Sequence, residues 1–417
     1  MKSEIIAIGS EMLTPFRQDT NSLYLTEKLN SIGVTVVFKT IVGDRRRDLV
    51  SAIRAALGRT DIVVLMGGLG PTEDDLTREA VAEALSLTLR RDPDQVVALA
   101  ARAATWRIPM PDNNLKQADV LEGATVLPNP NGSAPGQWID TTYIGYRKLI
   151  MLVPGPPNEC RPLFDAECIP RLREILPASH IAKRTLRAAM IPESQADKLL
   201  APIYSTYKDV ETTILAHAGD IQLTLLCTKS SAAAAQQRVD SLASRLEEVI
   251  EDWLYSSGAE SADSLEQIVL YYLGLRQSTL AIAESCTGGM ISQRITSVPG
   301  ASRAFLGGAI AYSDELKTHF AGVPSELIAQ HGAVSKEVAE ALARGIRHST
   351  GATLGLGVTG IAGPTGATET KPIGLVYIAL SDDHKTESIE RTFRGDRDRV
   401  RQWATQQSLD LIRRRLR

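Results

Sequence analysis

Cysteine is scarce in this chain, and no two cysteines are close in sequence. Only Cys160, Cys168, Cys227 and Cys286 occur in 417 residues, without a Cys-x-x-Cys pair. Structural zinc sites and disulfide frameworks depend on closely spaced cysteines, so this distribution disfavours both and indicates a reducing compartment. We therefore expect a cytoplasmic protein.

Long apolar runs are also lacking. The opening segment MKSEIIAIGSEM has too short an apolar stretch for a signal peptide, and no run approaches the roughly 20 apolar residues that cross a bilayer. With 43% apolar and 23% charged residues, the composition is typical of a globular protein. The sequence predicts no contact with a membrane.

The chain also lacks a large net charge of either sign. The chain has 46 Lys and Arg against 49 Asp and Glu, a formal net charge of −3. Proteins that coat nucleic acid normally carry a basic excess, so we expect no direct nucleic-acid partner. The arginines at 413–415 and 417 fit a solvated helix end, where cations are favoured.

Strand-like and helix-like segments alternate in two stretches of the chain, 1–170 and 259–417. The apolar strand at 61–66 is typical of the first stretch, and strands are predicted at 279–283, 306–312, 353–359 and 374–380 in the second. Continuous apolar strands separated by helices indicate a mainly parallel sheet covered on both faces. The predicted fold class is α/β, with two three-layer α/β domains.

Residues 171–258 have a different pattern. A strand-like stretch at 221–227 precedes a long amphipathic helix at 232–254, and small polar residues at 256–264 indicate a linker. This segment is predicted to be a small α+β domain that joins the other two. It has no Gly-x-x-Gly loop and no basic cluster, so we infer no RNA binding and expect a spacer or a contact in a homodimer.

The stretch AESCTGG, residues 283–289, lies between a predicted strand and a predicted helix. Ligands of α/β sheets bind at the carboxyl ends of strands, where free N–H groups at a helix start can hold a phosphate or an oxyanion. Gly288 and Gly289 are candidate donors for an oxyanion. Ser285 and Cys286 are competing nucleophiles, and we expect only one of them to face the cleft. Three interpretations of AESCTGG stay open: it carries a nucleophile, it binds a phosphate, or it is only a turn.

Two later motifs are predicted to reach the same edge. In AYSDELK, Ser313 is a predicted N-cap, which places Tyr312 at a strand end and Lys317 about one turn into a helix. A lysine can activate a serine when burial lowers its pKa. The stretch at 357–374 adds Thr359 at a strand end and a loop rich in glycine. Single residues of these types are more often structural, and Glu284, which lies in the first motif, is interpreted as structural.

In this order, AESCTGG, YSDELK, QHGAVS, TGIAGP and GDRD resemble the C-terminal domain of the CinA family over most of residues 265–410. The resemblance implies a nicotinamide-nucleotide amidase, which converts nicotinamide mononucleotide to nicotinic acid mononucleotide and ammonia without a cofactor. It implies that Ser285 is the nucleophile, activated by Lys317 and Tyr312. The substrate contacts that it implies are Gly288, Gly289, Thr359, Gly360, Gly363 and, at the phosphate, Arg397.

The clearest N-terminal motif is MGGLGPTEDDLT, residues 66–77. Glycines let the backbone approach a phosphate, and a helix starting near Asp75 favours an anion. Asp74 and Asp75 add carboxylates, and Mg²⁺ is commonly held by one or two carboxylates together with phosphate oxygens. The motif is neither a P-loop nor Gly-x-Gly-x-x-Gly. The alternative is that one of the two aspartates only caps the helix.

Further segments are predicted at the same sheet edge, with Glu11 in IGSEM, Asp19 and Asn21 in QDTN, and Gly155 and Glu159 in VPGPPNE. GSEM, DTNS, GGLGPTEDDLT, KQA, PNPNGSAPG and PGPPNE follow, in order, the N-terminal domain of the same family, which has the fold of molybdopterin-binding proteins. This resemblance covers roughly 1–170. The region at 171–258 resembles the family's KH-like domain.

The N-terminal resemblance implies a metal-dependent ADP-ribose pyrophosphatase that forms AMP and ribose 5-phosphate. It implies a divalent cation such as Mg²⁺, with K⁺ as a further candidate, at Glu11, Asp74 and Asp75. The implied substrate contacts are Gly67, Gly68, Gly70, Thr72, Asn21, Gly155 and Glu159. The chain departs from the family in one place, because MLTPFRQ stands where members usually have a glycine-containing turn between GSE and DTN.

Two other functions stay open. The N-terminal fold alone suggests a nucleotide-transfer enzyme of molybdopterin synthesis, although the C-terminal Ser, Tyr and Lys argue against that as the whole answer. The family's name suggests an accessory binding role in competence or DNA uptake. The lack of a basic stripe counts against direct contact with DNA.

Overall fold

A computed structural model describes residues 1–106, 111–176, 180–259 and 262–417. The chain divides into two compact units, Met1–Ile181 with Thr228–Ala232, and Ala182–Cys227 with Ala233–Arg417. The strands are β1 (Lys2–Ile8), β2 (Thr35–Val42), β3 (Ile62–Met66), β4 (Leu89–Arg91), β5 (Asp119–Leu121), β6 (Thr125–Leu127), β7 (Gly136–Tyr143), β8 (Tyr146–Val153), β9 (His180–Ala189), β10 (Val210–His217), β11 (Asp220–Lys229), β12 (Leu254–Gly258), β13 (Leu280–Glu284), β14 (Phe305–Ile310), β15 (Leu354–Gly360), β16 (Leu375–Ser381) and β17 (Thr386–Thr392). The helices are α1 (Asn21–Asn30), α2 (Arg46–Arg59), α3 (Thr77–Leu85), α4 (Pro93–Trp106), α5 (Pro157–Leu163), α6 (Ile169–Ile175), α7 (Glu193–Tyr204), α8 (Ala232–Val249), α9 (Leu265–Leu275), α10 (Met290–Thr296), α11 (Asp314–Ala321), α12 (Ser325–His331), α13 (Lys336–Thr350) and α14 (Arg397–Leu416).

The N-terminal unit is built on a six-stranded sheet in the order β2-β1-β3-β8-β7-β6. The pairs β2–β1, β1–β3 and β3–β8 are parallel, and β7 and β6 complete the sheet antiparallel. Apolar clusters cover both faces, with Ile5 packing on one side and Ile6 on the other. Ala7, Met66 and Val153 lie in register. The loops that follow β1, β3 and β8 therefore leave the sheet at the same edge.

The C-terminal sheet has the order β14-β13-β15-β16-β17. Its first three strands are parallel. Glu284 pairs with both Ile310 and Val358, so β13 and β14 end level with each other and β15 continues two residues beyond that point. The four predicted strands match β13 to β16 within one or two residues. Strand β17 was not predicted, because its sequence TESIERT lacks an apolar run.

The middle region forms a four-stranded sheet, β10-β11-β9-β12, with an apolar core that also contains residues of α7 and α8. Two predictions are corrected here. Helix α8 ends at Val249, and β12 occupies residues 256–258 of the predicted linker because buried Tyr255 ties this segment into the sheet. Residues 260 and 261 of that linker lie outside the described residues.

The α/β fold class and the KH-like middle domain are confirmed. Both larger sheets carry helices on each face, as the apolar strand pattern predicts. In the described part of the chain, no helix combines the length and apolarity that spanning a membrane requires.

Candidate active sites

The AESCTGG segment turns sharply from β13 into α10. Ser285 is 7% exposed, and its N–H donates to the Val358 carbonyl of β15 at 3.0 Å. Gly288 and Gly289 have φ values of +60° and +90°, in the left-handed region that favours glycine. The glycines therefore make the turn that places Ser285 at the carboxyl edge of the sheet.

Glu284 occupies the start of helix α10 with its own carboxylate. Its oxygens accept from the N–H groups of Gly289, Ile291 and Ser292 at 2.9, 3.2 and 2.8 Å, and from the Ser292 hydroxyl at 2.7 Å. The Gly288 N–H donates to the Ser285 carbonyl at 3.1 Å. The prediction that Gly288 and Gly289 supply donors for an oxyanion is therefore wrong in this structure, because the Ser285 carbonyl takes the Gly288 N–H and the buried Glu284 carboxylate takes the Gly289 N–H.

Cys286 belongs to an apolar core cluster. Burial raises the pKa of its thiol to about 12, chiefly by withdrawing it from solvent. A thiol in that state is protonated at neutral pH and is a poor nucleophile. Of the two competing nucleophiles, Ser285 is the one that the structure favours.

Tyr312 and Lys317 follow the neighbouring strand β14. The Ala311 N–H donates to the Glu284 carbonyl at 2.8 Å, which brings this segment beside Ser285. The predicted N-cap is confirmed, because Ser313 Oγ accepts from the Leu316 N–H at 3.3 Å and α11 begins at Asp314. The sequence therefore placed both side chains correctly at the edge of the sheet.

Lys317 is 2% exposed, and its ammonium has two acceptors. Nζ donates to the Tyr312 backbone carbonyl at 3.3 Å and to Asp314 Oδ1 at 3.1 Å. Within the described chain no hydrogen bond joins Lys317 to Ser285. The structure brings the two residues to one edge of the sheet but does not pair them.

Arg397 contacts protein on both sides of its guanidinium. Nη1 donates to the Gly363 carbonyl at 2.8 Å, and Nη2 donates to the Tyr312 hydroxyl at 2.7 Å. The resemblance implied that Arg397 contacts a phosphate, but here it links the Gly363 loop to the tyrosine. Arg397 lies at the start of α14 and Gly363 lies in the loop between β15 and β16, so neither residue belongs to the sheet.

Arg401 lies one turn along α14 from Arg397 and was not predicted. Its Nε and Nη2 donate to the Thr287 carbonyl at 3.2 and 2.9 Å. Residues four apart share one helix face, so the GDRD motif could have pointed to this second arginine. Helix α14 thus contacts the serine turn through Arg401 and the tyrosine through Arg397.

The remaining predicted C-terminal contacts have packing roles in this structure. Thr359 is buried, and its hydroxyl donates to the Ala333 carbonyl at 2.7 Å. A Cβ at Gly360 would lie 2.7 Å from the Leu375 carbonyl oxygen, so a larger residue does not fit there. Ser285 and Thr359 nevertheless lie side by side, each one residue beyond the paired Glu284 and Val358, with Tyr312 on the other side of Ser285.

A cavity of about 610 Å³ opens at the carboxyl edge of the N-terminal sheet. Its volume suits a small-molecule ligand. Most of the predicted N-terminal site residues line it, namely Glu11, Asn21, Gly67, Gly68, Gly70, Asp75, Gly155 and Glu159. Thr72 and Asp74 are not among its lining residues. Four separate sequence segments therefore converge on one cavity, as predicted, but Thr72 and Asp74 do not take part in its wall.

Helix α3 holds the glycine loop, residues 67–70, by hydrogen bonds to its carbonyl groups. The Thr77 hydroxyl donates to the Gly67 carbonyl at 2.7 Å, and buried Arg78 donates to the carbonyls of Leu69 and Gly70 at 3.0 and 3.2 Å. Desolvation lowers the pKa of Arg78, opposed by nearby carboxylates. Arg78 was missed because a charged residue in an amphipathic helix is normally read as exposed.

The two aspartates of the motif do not act as predicted. Helix α3 begins at Thr77, and neither Asp74 nor Asp75 caps it. Asp75 Oδ2 accepts from the N–H and hydroxyl of Thr72, while Asp74 is exposed and the neighbouring Thr72 side chain lowers the pKa of its carboxyl. The turn from Thr72 to Asp75, closed by the Asp75 N–H on the Thr72 carbonyl at 3.2 Å, uses the carboxylates locally instead of presenting both to the cavity.

The predicted three-carboxylate metal set is therefore wrong as a set. In the ranges that the structure describes, no group of three or more His, Cys, Asp or Glu side chains is arranged to hold a metal ion. Glu11 and Asp75 still line the same cavity. Two carboxylates are enough for Mg²⁺ when a ligand supplies phosphate oxygens, so the residues present fit such an ion.

Asn21 and Glu159 connect the loops around the cavity. Asn21 Nδ2 donates to the Gly155 carbonyl at 2.8 Å, and Glu159 Oε2 accepts from Asn129 Nδ2 at 2.8 Å. A Cβ at Gly132 would lie 1.7 Å from Glu159 Oε2, so the PNPNGSAPG segment needs glycine where this carboxylate sits. Asn21 and Glu159 therefore help to determine the shape of the cavity wall through their contacts with the neighbouring loops.

The stretch that departs from the family, MLTPFRQ, forms part of the same wall. Met12, Arg17 and Gln18 line the cavity, whereas Phe16 is 90% exposed. A short 3₁₀ turn at Ser10–Leu13 leads into it. The stretch therefore contributes a cation to the cavity wall, Arg17, which its sequence pattern does not predict.

Comparison with known proteins covers nearly the whole chain. Family models match residues 4–174 (Probable molybdopterin binding domain), 183–256 (Damage-inducible protein CinA KH domain) and 262–416 (CinA C-terminal domain). A CinA-like protein of Acidobacterium capsulatum is 61% identical over 416 residues, covering 100% of both chains, and one of Koribacter versatilis is 53% identical with the same coverage.

A solved structure, the competence/damage inducible protein CihA from Agrobacterium tumefaciens, is 30% identical with a TM-score of 0.35, and the match covers 35% of this chain and 90% of that one.

Proposed function

The chain belongs to the CinA family, and we propose that its C-terminal site hydrolyses the carboxamide of nicotinamide mononucleotide, forming nicotinic acid mononucleotide and ammonia. The observation that carries the proposal is the placement of Ser285 beside Tyr312 at level strand ends, with Lys317 buried behind them. Amide hydrolysis by a serine needs a nucleophile and a group that moves its proton, and these residue types provide both.

In the proposed reaction, Ser285 Oγ attacks the carboxamide carbon while a neutral Lys317 amine accepts the serine proton. The tetrahedral intermediate collapses when a proton reaches the amide nitrogen, which leaves as ammonia. Water then attacks the acyl-enzyme, releasing the carboxylate and restoring the serine proton. Because Lys317 now donates to Asp314 and to the Tyr312 carbonyl, its amine must give up a proton and exchange Asp314 for Ser285.

The two arginines of α14 support this chemistry from outside the sheet. Arg397 fixes the Tyr312 hydroxyl, which we propose as the group that relays a proton between solvent and Lys317. Arg401 fixes the Thr287 carbonyl and thereby the turn that follows Ser285. Cationic side chains at this edge also suit a substrate that carries a phosphate.

The test is ammonia release from nicotinamide mononucleotide in the presence of EDTA. We expect release from the wild type and from Cys286→Ala, and no release above background from Ser285→Ala. Cys286→Ala is the matched control, because it changes the adjacent buried residue without removing the hydroxyl. Undiminished release from Ser285→Ala, or no release from the wild type, would contradict the proposal.

The N-terminal cavity supports a second proposed activity, the metal-dependent cleavage of ADP-ribose to AMP and ribose 5-phosphate. The observation that favours it is the convergence of Glu11 and Asp75 with the glycine loop on one cavity. A bound divalent cation would neutralise charge on the pyrophosphate, and these two carboxylates would hold it. A Cβ at Gly67, Gly68 or Gly70 would lie 2.5, 2.3 or 2.4 Å from an oxygen of Ile8, Thr77 or Asp75, so glycine is needed for the tight path of this loop along the cavity wall.

Glu11→Gln tests this activity, and Asp74→Asn is the control, since both remove one negative charge but Asp74 does not line the cavity. We expect Glu11→Gln to lose at least tenfold in cleavage of ADP-ribose with Mg²⁺, and Asp74→Asn to keep wild-type activity. Equal losses in the two variants would place the metal outside the cavity.

A further inference from the structure

The wall of the N-terminal cavity has an unusual balance of charge for a site that would take a phosphate. Its described lining contains four carboxylates, Glu11, Asp19, Asp75 and Glu159, and a single Lys or Arg side chain, Arg17. Three of these carboxylates already accept hydrogen bonds from the protein: Asp19 from the Ser22 N–H, Asp75 from Thr72 and Glu159 from Asn129. The wall as a whole is negative, so any protein cation in it matters for an anionic ligand.

Arg17 differs in its contacts from the other cations near this cavity. Among the described residues, no hydrogen bond or ion pair joins its guanidinium to another side chain. The other nearby cations are engaged, since Arg78 donates to the glycine loop, Lys116 to the Thr72 carbonyl at 3.0 Å and Arg161 to Asn21 at 3.1 Å. Arg17 is therefore the cation on this wall that is available to a ligand.

A second, independent observation points to a ligand in this cavity. Gln117 lines it and is 2% exposed, yet its Oε1 has no hydrogen-bond partner within the protein. Buried acceptors are almost always paired, because leaving one without a donor is unfavourable. The missing partner is an N–H or O–H group, which a phosphate dianion does not carry. The ligand therefore needs an additional polar part.

From these contacts we propose that Arg17 binds the phosphate of a nucleotide in this cavity, and that Gln117 accepts a hydrogen bond from the nucleoside part of the same ligand. A guanidinium suits this role because its fork of N–H donors matches phosphate oxygens. The assignment deepens the proposed cleavage of ADP-ribose and rests on it for the identity of the substrate. Arg17 lies in MLTPFRQ, so this contact belongs to the stretch where the chain departs from the family pattern.

Calorimetric titration of the full-length protein with AMP in Mg²⁺ tests the contact, because AMP has no pyrophosphate bond to cleave. We expect Arg17→Gln to weaken AMP binding roughly ten- to a hundredfold, and Arg17→Lys to weaken it less. Arg47→Gln is the matched control, since Arg47 is exposed on α2, outside the cavity, and the change in charge is the same. Adenosine, which lacks the phosphate, should bind Arg17→Gln as it binds the wild type and should bind Gln117→Leu more weakly.

Equal weakening of AMP in Arg17→Gln and Arg47→Gln, or no AMP binding by the wild type, would overturn the inference. Cleavage of ADP-ribose, measured on the same preparations, separates it from the proposed function. If AMP binding depends on Arg17 but ADP-ribose is not cleaved, the phosphate contact is supported and the proposed pyrophosphatase activity is contradicted. If ADP-ribose is cleaved and Arg17→Gln leaves both its KM and the AMP affinity unchanged, only the Arg17 contact falls.

Discussion

Ser285 and Cys286 are adjacent, and the environment of each side chain decides which of them can react. Burial raises the pKa of Cys286 and of Cys160 to about 12 and that of Cys168 well above its ordinary value. All four cysteines are buried, so the folded protein should present no reactive thiolate at pH 8. In the unfolded chain the same thiols ionise near their ordinary pKa of about 8.5.

This difference gives a prediction with a defined sign. At pH 8 a disulfide reagent should label the native protein slowly and the urea-unfolded protein fast. Because the folded pKa values are raised, their contribution to stability is complete below about pH 8.5 and is lost as the pH rises toward 12. Unfolding by urea at pH 8 and pH 10 should therefore show lower stability at pH 10. Fast labelling that disappears in Cys286→Ala would show instead that Cys286 is reactive and would reopen it as the nucleophile.

Tyr312 provides a second prediction at this scale. Its side chain is 55% exposed and its hydroxyl contacts Arg397, so Tyr312→Phe removes one surface hydrogen bond. Stability should change by no more than about 0.5 kcal/mol, as is usual for surface substitutions. If the hydroxyl relays a proton, kcat for ammonia release should fall about 10²–10⁴-fold with little change in KM. Wild-type kcat in a folded Tyr312→Phe would exclude the relay.

Helix α10 shows how one buried side chain determines the geometry of an element. Its N-cap residue, Gly289, has no side chain to cap it, and the Glu284 carboxylate on the preceding strand accepts instead from the N–H groups of Gly289 and of two helix residues, Ile291 and Ser292. A carboxylate with only acceptors suits this position, and the helix dipole adds to the attraction. The same contacts hold the turn that contains Ser285.

Glu284→Gln should therefore lower the free energy of unfolding substantially. The amide keeps one acceptor, but its NH₂ group would face backbone donors, so the variant loses charge-assisted bonds that contribute about 1.5–3 kcal/mol each. Ser313→Ala at the N-cap of α11 is the comparison, because a single hydroxyl cap contributes about 1 kcal/mol. Urea unfolding should show the larger loss for Glu284→Gln. A smaller loss than for Ser313→Ala would mean that the carboxylate does not stabilise the helix start.

Apolar patterning predicted the elements well, but it could not predict polar contacts between them. The predicted strands at 61–66 and 279–283 located both sheet edges, and the polar Ser313 located the start of α11. Strand β17 was missed because its residues are polar, and buried Arg78 was missed because its acceptors are carbonyls eight and nine residues earlier in the chain. The metal set failed for the same kind of reason, since a local turn rather than a periodic pattern decides where Asp74 and Asp75 point.

At the scale of the whole molecule, the two proposed sites use different chemistry and lie in different compact units. The serine site has its nucleophile and lysine in the second unit, and the cavity with Glu11 and Asp75 belongs to the first. The proposed serine mechanism involves only protein side chains and water, whereas cleavage of a pyrophosphate benefits from a divalent cation that neutralises its charge. The two activities should therefore respond to different treatments of one preparation.

We predict a double dissociation in the full-length protein. Removal of divalent cations with EDTA should abolish cleavage of ADP-ribose and leave ammonia release from nicotinamide mononucleotide unchanged, while Ser285→Ala should do the reverse. Both activities are measured on the same samples, with Mg²⁺ added back to show that the first loss is reversible. Loss of both activities in Ser285→Ala, with thermal unfolding unchanged, would mean that the two sites are not independent, since the hydroxyl is absent from the cavity wall. Loss of ammonia release in EDTA, restored by Mg²⁺, would remove the metal-independent serine mechanism, because neither Ser285 nor Lys317 requires an ion to exchange a proton.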